Sequence, residues 1–305
     1  MGIAKHILVI FLICTSLASA EGWQFDFILE NDAIFIESIN HDRYYTNGVQ
    51  MKLKSPELYE FTLGQLFFTP DNQKTTLLQA QDRPYAGWLF VSAAKNTLHD
   101  SFMRHMQLTV GVIGESALGE QMQNGYHSIS GNNRSNGWDN QLPNEPAVML
   151  SASQVWALNQ DASSNNFSWN LLPYAGAHLG SPYTAAEIGA ELRLGYRMPK
   201  DYTISGISFI SGVTAATNTN HEHFYGYLFA GVDSSAMLWN TFLDGSVFRD
   251  SHSIDNKPVV TKLTAGFVFN IRRAKITYTQ VYQTKEFYGQ LKNHIYGSVQ
   301  IGYLF

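Results

Sequence analysis

Cysteine is almost missing from this chain. Its single example, Cys14, lies within the first twenty residues. The rest of the chain can therefore form no disulfide, present no thiolate nucleophile and build no cysteine metal site. Charge is scarce as well: Asp, Glu, Lys and Arg supply 15% of the 305 residues, with a formal net charge of −5. That balance offers no basic footprint for a nucleic acid, and no such partner is expected. Long apolar runs are lacking too. A membrane-crossing helix needs about 20 consecutive apolar residues, and the clearest run, residues 7–14, is far shorter.

That run has another use. Lys5 gives a positive start, residues 7–14 an apolar middle, and Ala18-Ser19-Ala20 a small-residue cleavage site. The pattern predicts a secretory signal peptide over residues 1–20, cut before Glu21, and one mature unit over 21–305. Ile13 stands where a lipoprotein signal needs a small residue before its cysteine, which argues against lipidation at Cys14. Removing Lys5 with the leader takes the formal charge from −5 to −6.

What the chain does have is aromatic residues and glycine: 16 Tyr, 19 Phe, 6 Trp and 24 Gly. With so few charges, this composition suits strands whose outer face meets lipid. Several segments alternate with period two. In 187–197, Ile188, Ala190, Leu192, Leu194 and Tyr196 share one face, while Glu187, Glu191, Arg193 and Arg197 share the other. Residues 262–271 and 105–113 repeat the pattern. A strand in a soluble sandwich also alternates. Acids and bases along a ten-residue polar face, recurring without a helical layer, instead favour lipid outside and a polar lumen inside. The last segment, 294–305, alternates and finishes on Phe305, similar to the assembly signal of bacterial outer-membrane barrels.

The expected fold is all-β: a membrane-spanning, antiparallel, up-and-down β-barrel of about twelve strands. They are placed near 23–29, 44–54, 59–68, 86–98, 104–113, 146–158, 168–179, 184–197, 223–236, 259–271, 274–283 and 293–305. An even count returns both ends to the periplasm. The external connections are then 30–43, 69–85, 114–145, 180–183, 237–258 and 284–292, and they hold most of the polar clusters. The long connection 198–222 falls on the periplasmic side. Its apolar stretch 204–213 is either a further strand or a segment inside the lumen.

Three external clusters invite chemistry. Glu30-Asn31-Asp32 and Asp42-Arg43-Tyr44-Tyr45-Thr46-Asn47-Gly48 flank the first hairpin, and can bring Asp32 and Thr46 together at the rim. Their oxygens are those a hard cation such as Ca²⁺ takes, although ordinary turn chemistry uses the same residues. Residues 119–130 can form a short helix with Gln123 and His127 on one face. His127 is then a general base if it meets a water, or else an exposed loop histidine. Asp82-Arg83-Pro84-Tyr85-Ala86-Gly87 presents an arginine suited to a phosphate or to a lumenal ion pair.

Taken together, these motifs resemble the outer-membrane lipid A 3′-O-deacylase family. Also matching are Gly137-Trp138-Asp139-Asn140-Gln141-Leu142-Pro143-Asn144-Glu145, Phe242-Leu243-Asp244-Gly245 with Phe248-Arg249-Asp250-Ser251, and Thr284-Lys285-Glu286-Phe287. The resemblance spans almost the whole mature chain. It implies a monomeric twelve-stranded barrel in the outer membrane of a Gram-negative bacterium, acting on lipopolysaccharide in the outer leaflet. It also implies His127 as general base, Asp32 as Ca²⁺ ligand, and Asn31, Thr46 and Gln123 as a supporting polar shell. Arg83 and Lys285 are the candidate contacts for lipid A phosphates.

Two rival readings use other residues. A serine-dependent lipase would draw on His99-Asp100-Ser101, which strand parity places in a periplasmic turn. It could instead use the stretch Asn133-Arg134-Ser135-Asn136-Gly137, where Asn133 stands in place of a histidine. A porin or adhesin would line a narrow lumen with Glu187, Glu191, Arg193 and Arg197.

Overall fold

Twelve strands follow one another around a closed sheet in the order of the chain. They are β1 (Gln24–Asn31), β2 (Tyr44–Lys54), β3 (Tyr59–Thr69), β4 (Ala86–Leu98), β5 (Phe102–Ile113), β6 (Glu145–Trp156), β7 (Phe167–Gly180), β8 (Tyr183–Tyr196), β9 (Tyr225–Asn240), β10 (Val259–Ile271), β11 (Ala274–Gln283) and β12 (His294–Leu304). Every neighbouring pair is antiparallel, and β12 closes the ring on β1 from Gln24↔Leu304 to Asn31↔Gly297. Closure leaves no strand edge without hydrogen-bond partners, which is the condition for a sheet to stand in hydrocarbon. This computed structural model describes residues 21–32, 34, 43–159, 166–205 and 224–305. The expected leader, Asp42 and most of the 204–213 stretch lie outside the described residues.

Burial along the strands is inverted relative to a water-soluble protein. On β8, Ile188 and Leu194 are 67% and 59% exposed, while Glu191 and Arg193 are 1% and 0% exposed. Outward positions are apolar because they face lipid; inward ones are polar because they face one another across the lumen. Several of the inward charges are paired. Lys54 meets Asp26, Lys52 meets Glu60 at 3.2 Å, and Arg193 meets both Glu191 at 2.8 Å and Asp201 at 2.7 Å.

The lumen is filled at both ends. Towards the external end, inward side chains Tyr45, Phe68, Trp88, Phe90, Tyr183 and Tyr296 form an apolar core. A one-turn helix, α2 (Thr241–Asp244), adds Phe242 from the β9–β10 loop, its ring stacked 4.5 Å from Phe68. Towards the periplasmic end, the start of the β8–β9 connection turns inward. Tyr202 and Ile204 pack on Met103, Val155, Leu172 and Tyr174. Ser205 N–H donates to Glu191 at 2.7 Å, and the Ser205 carbonyl accepts from Thr279 of β11 at 3.2 Å. The described part of that connection thus lies within the lumen, tied to strands on both sides.

The external connections carry the remaining structure. As expected, residues 119–130 form a helix, α1 (Gly119–Ser130), preceded by a 3₁₀ turn at Glu115–Ala117 and followed by another at Trp138–Asn140.

Candidate active site

Parity of the strands decides which way the site faces. On β3, Phe61 and Leu63 point into lipid, so Gln65, Phe67 and Thr69 continue the same outward face towards the rim. On β1, Phe27 is outward beside Ile301, and Asn31 follows four residues later on that face. A β-bulge interrupts β2, where the register steps from Tyr45↔Phe68 to Asn47↔Phe67 and leaves Thr46 as the extra residue. Bulges re-aim a side chain; here Thr46 Oγ1 lies 2.7 Å from Thr69 Oγ1. The rim polar residues of β1, β2 and β3 therefore stand on the outer wall of the barrel rather than in its lumen.

Helix α1 lies against this wall. Its approach is close because two glycines meet: a Cβ on Gly87 would stand 3.1 Å from Ala117 Cβ and 3.4 Å from Gly119 N. Gln65 anchors the start of the helix by donating to the Ala117 carbonyl at 2.5 Å. Trp138 wedges beneath it against Phe67 and Tyr85. Burial, and then the nearby charge of Asp82, pushes the Tyr85 hydroxyl above its usual pKa. It serves as a neutral partner for Ser135, 3.2 Å away.

The wall-facing side of α1 carries Gly119, Gln123 and His127, all buried. Gln123 accepts from Trp138 Nε1 at 2.8 Å and donates to Gln73 Oε1 at 2.9 Å. Gln73 donates in turn to Thr69 Oγ1 at 2.9 Å, and Thr69 meets Thr46. On the next strand, Asn31 Nδ2 donates to the Thr46 carbonyl at 3.2 Å. One continuous relay thus runs Asn31, Thr46, Thr69, Gln73, Gln123, Trp138, from the barrel wall to the helix. His127 sits one turn beyond Gln123. Its Nδ1 lies 2.6 Å from the Asn133 carbonyl, which only accepts, so Nδ1 carries the proton and Nε2 is the basic nitrogen.

Four residues singled out from sequence are brought together here: Asn31, Thr46, Gln123 and His127. Burial of His127 sets aside the reading of a solvent-exposed loop histidine. Asp32 adjoins them at the end of β1, where its Oδ2 accepts from the Arg43 backbone N–H at 2.8 Å. The donor chemistry at this corner includes the Asp32 carboxylate beside amide, hydroxyl and carbonyl oxygens. It suits a hard cation in kind, although no group of three His, Asp or Glu suited to a metal occurs among the described residues.

Arg83 and Lys285 stand elsewhere. Arg83 is fully buried, ion-paired with Glu286 at 3.0 Å and held 4.5 Å over the Phe68 ring, whose place is in the lumenal core. Of the two uses expected for it, the structure has the lumenal ion pair. Lys285 is half-buried next to Glu286.

Thr69 and Gln73 are not among the residues that sequence singles out, yet they join the two halves of the site. Thr69 has a legible signal, since it continues the outward register of Phe61, Leu63 and Phe67, where lipid would select an apolar residue. Gln73 has none, because it belongs to an irregular loop.

The model of the family "Outer membrane protein LpxR" matches residues 6–305. Among solved structures, LpxR from Salmonella typhimurium is similar, with 19% identity, a TM-score of 0.80, and coverage of 92% of this chain and 100% of that one. The beta domain of the Bordetella autotransporter BrkA is similar at 10% identity and TM-score 0.43, covering 94% of this chain and 99% of that one. The NanC porin follows at 8% identity and TM-score 0.36, covering 92% and 98%. Comparison with curated protein sequences gave no match. With the family model covering nearly the whole chain and the twelve-stranded barrel shared with the Salmonella protein, this chain belongs to the outer-membrane LpxR family, the lipid A 3′-O-deacylases that its motifs resemble.

Proposed function

We propose that this outer-membrane protein hydrolyses the ester that holds the 3′-linked acyloxyacyl chain on lipid A. The observation that carries the reading is the relay from Asn31 to Trp138, which sets His127 and Gln123 against the outward face of β1–β3. A lipid of the outer leaflet reaches such a site sideways, without leaving the membrane.

His127 serves as general base. Its Nε2 takes a proton from water while the Nδ1–H bond to Asn133 holds the ring. The hydroxide adds to the ester carbonyl carbon, the bond to the sugar oxygen breaks, and that oxygen recovers a proton from His127. The products are a free acyloxyacyl acid and a 3′-hydroxyl. Asn31, Thr46 and Gln123 position water and ester. No side-chain nucleophile is needed. Ca²⁺, held by Asp32 with oxygens from Asn31 and Thr46, would supply charge stabilisation for the developing oxyanion. Of the two cations expected to meet lipid A phosphates, Lys285 keeps that assignment, because Arg83 is committed to Glu286.

The rivals find less support. A porin needs an open lumen, whereas this one holds an aromatic core at one end and Tyr202 and Ile204 at the other. For a serine lipase, His99 stacks on Phe102 in the tight periplasmic β4–β5 turn, remote from the outer leaflet. Ser135 is held by Tyr85.

Mass spectrometry of lipid A incubated with purified, refolded protein tests the reading, with Ca²⁺ in one tube and EDTA in another. Loss of one acyloxyacyl unit only with Ca²⁺ is the expected result. Unchanged lipid A in both tubes, from a barrel shown to be folded by heat-modifiable gel mobility, would overturn it.

A further inference from the structure

Helix α1 has three faces rather than two. Gly119, Gln123 and His127 face the barrel wall. At about 100° per residue, Met122, Tyr126 and Ile129 gather on one flank, roughly a quarter-turn round the axis, and the exposed Leu118 caps the helix just before them. Glu120, Gln121, Asn124 and Ser128 gather on the opposite flank. The first flank is apolar and exposed, with Ile129 at 80%. The second is polar and linked to the loop behind it: Glu120 pairs with Arg134 at 2.9 Å, and Asn124 accepts from Ser135 N–H at 2.8 Å. In water, an apolar flank of three large side chains beside an exposed leucine cap would be an unfavourable surface.

The wall beneath the helix shows what covers it. On the outer face of β3–β4, Leu63↔Val91 is an exposed, lipid-facing pair. The next pairs towards the rim are Gln65↔Leu89 and Phe67↔Gly87. Gln65 and Gly87 are the residues on which α1 begins. The helix therefore begins at the upper edge of the membrane-facing band of the barrel. A helix divided lengthwise into a wall face, an apolar flank and a polar flank fits an axis lying in the plane of the interface.

We propose that α1 is an interfacial helix, whose Met122, Tyr126 and Ile129 rest on the acyl chains of outer-leaflet lipid. This contact rests on the outer-membrane location alone. Its further use, steadying the acyl chains of a substrate whose ester lies under Gln123 and His127, rests on the deacylase reading.

The test needs a readout other than turnover. In the mature unit 21–305, whose sequence has no cysteine, single variants Ile129→Cys and Ser128→Cys are labelled with a nitroxide and reconstituted into phosphatidylcholine vesicles containing lipid A. At position 129 the label should collide more with dissolved oxygen than with an aqueous nickel chelate, and at 128 the order should reverse. Equal, chelate-dominated collision at both positions would overturn the proposal.

A second variant, Ile129→Asp, reads the functional side. Its apparent KM for lipid A should rise about tenfold, in vesicles and in detergent alike, because the substrate carries its acyl chains in both. An unchanged KM in detergent would remove the acyl-chain role. If the native chain hydrolyses neither form, the deacylase reading fails, and the label collisions still decide the helix.

Discussion

The indole N–H of Trp138 donates to Gln123 Oε1 at 2.8 Å, and this fixes which end of the Gln123 amide faces the barrel. An indole only donates, so the amide NH₂ must turn to Gln73 and onward to Thr69 and Thr46. Trp138→Phe keeps most of the ring packing on Phe67 and Tyr85 but removes that donor. A buried oxygen left without its partner costs about 1–3 kcal/mol. Hydrolysis of lipid A should fall by roughly tenfold while the folded, heat-modifiable barrel persists. Full activity in Trp138→Phe would show that the amide needs no such orientation.

His127→Ala should lose at least about a hundredfold in rate, the usual span for removal of a general base. Asp32→Ala should also abolish cleavage, through the loss of the carboxylate that follows Asn31 at the end of β1. Both variants should still shift mobility on heating, since neither side chain belongs to the lumenal core. Retained activity in a folded Asp32→Ala protein would remove the metal assignment.

Arg83→Ala should act on stability. The guanidinium is fully buried between Glu286 and the Phe68 ring. Its removal strands Glu286, and breaking a buried pair costs about 3–5 kcal/mol. Arg83→Ala should unfold at clearly lower temperature, whereas a paired Arg83→Met, Glu286→Gln change should recover part of the loss. An unchanged melting temperature with a raised KM for lipid A would instead restore the phosphate contact expected from sequence.

Much of this barrel is legible in the amino-acid sequence. Alternation in 187–197 and its charged inward face locate β8, because lipid on one side and a shared lumen on the other impose opposite chemistry residue by residue. Helix α1 is legible from Gly119 to Ser130, and with it the pairing of Gln123 and His127 on one side. Which wall that side meets is not. The lumenal and lipid faces exchange with a single-residue step, and the bulge at Thr46 makes such a step at the rim. Sequence places Asn31 and Thr46 at the rim, but only the register shows that they face outward. Gln73 gives no sign in the sequence because an irregular loop has no period from which its direction can be inferred. Arg83 is ambiguous for a related reason: the same side chain serves a phosphate or a carboxylate, and only its burial decides.

A filled lumen makes the barrel a poor conductor. In planar bilayers the native protein should show no steady channel. Asp201→Ala, which removes a carboxylate 2.7 Å from Arg193 and loosens the inward-turned connection, should raise leak events. Stable, ohmic conductance in the native chain would return the porin reading to favour.

The seat of α1 can be disturbed without touching any polar group. Gly87→Val places a branched side chain where a single Cβ already stands 3.1 Å from Ala117. Overpacking of this kind costs about 1–3 kcal/mol, and the cheaper relief is for the helix to lift, since the strand is held on both edges by β3 and β5. Lifting stretches the Gln73–Gln123 bond and carries His127 away from the barrel wall. Activity should therefore fall by roughly tenfold or more, although Asn31, Thr46, Gln123 and His127 are all intact. Heat-modifiable mobility should stay native, because the barrel closes without the helix. If Gly87→Val kept full activity, close seating of the helix on the wall would not be what assembles the site.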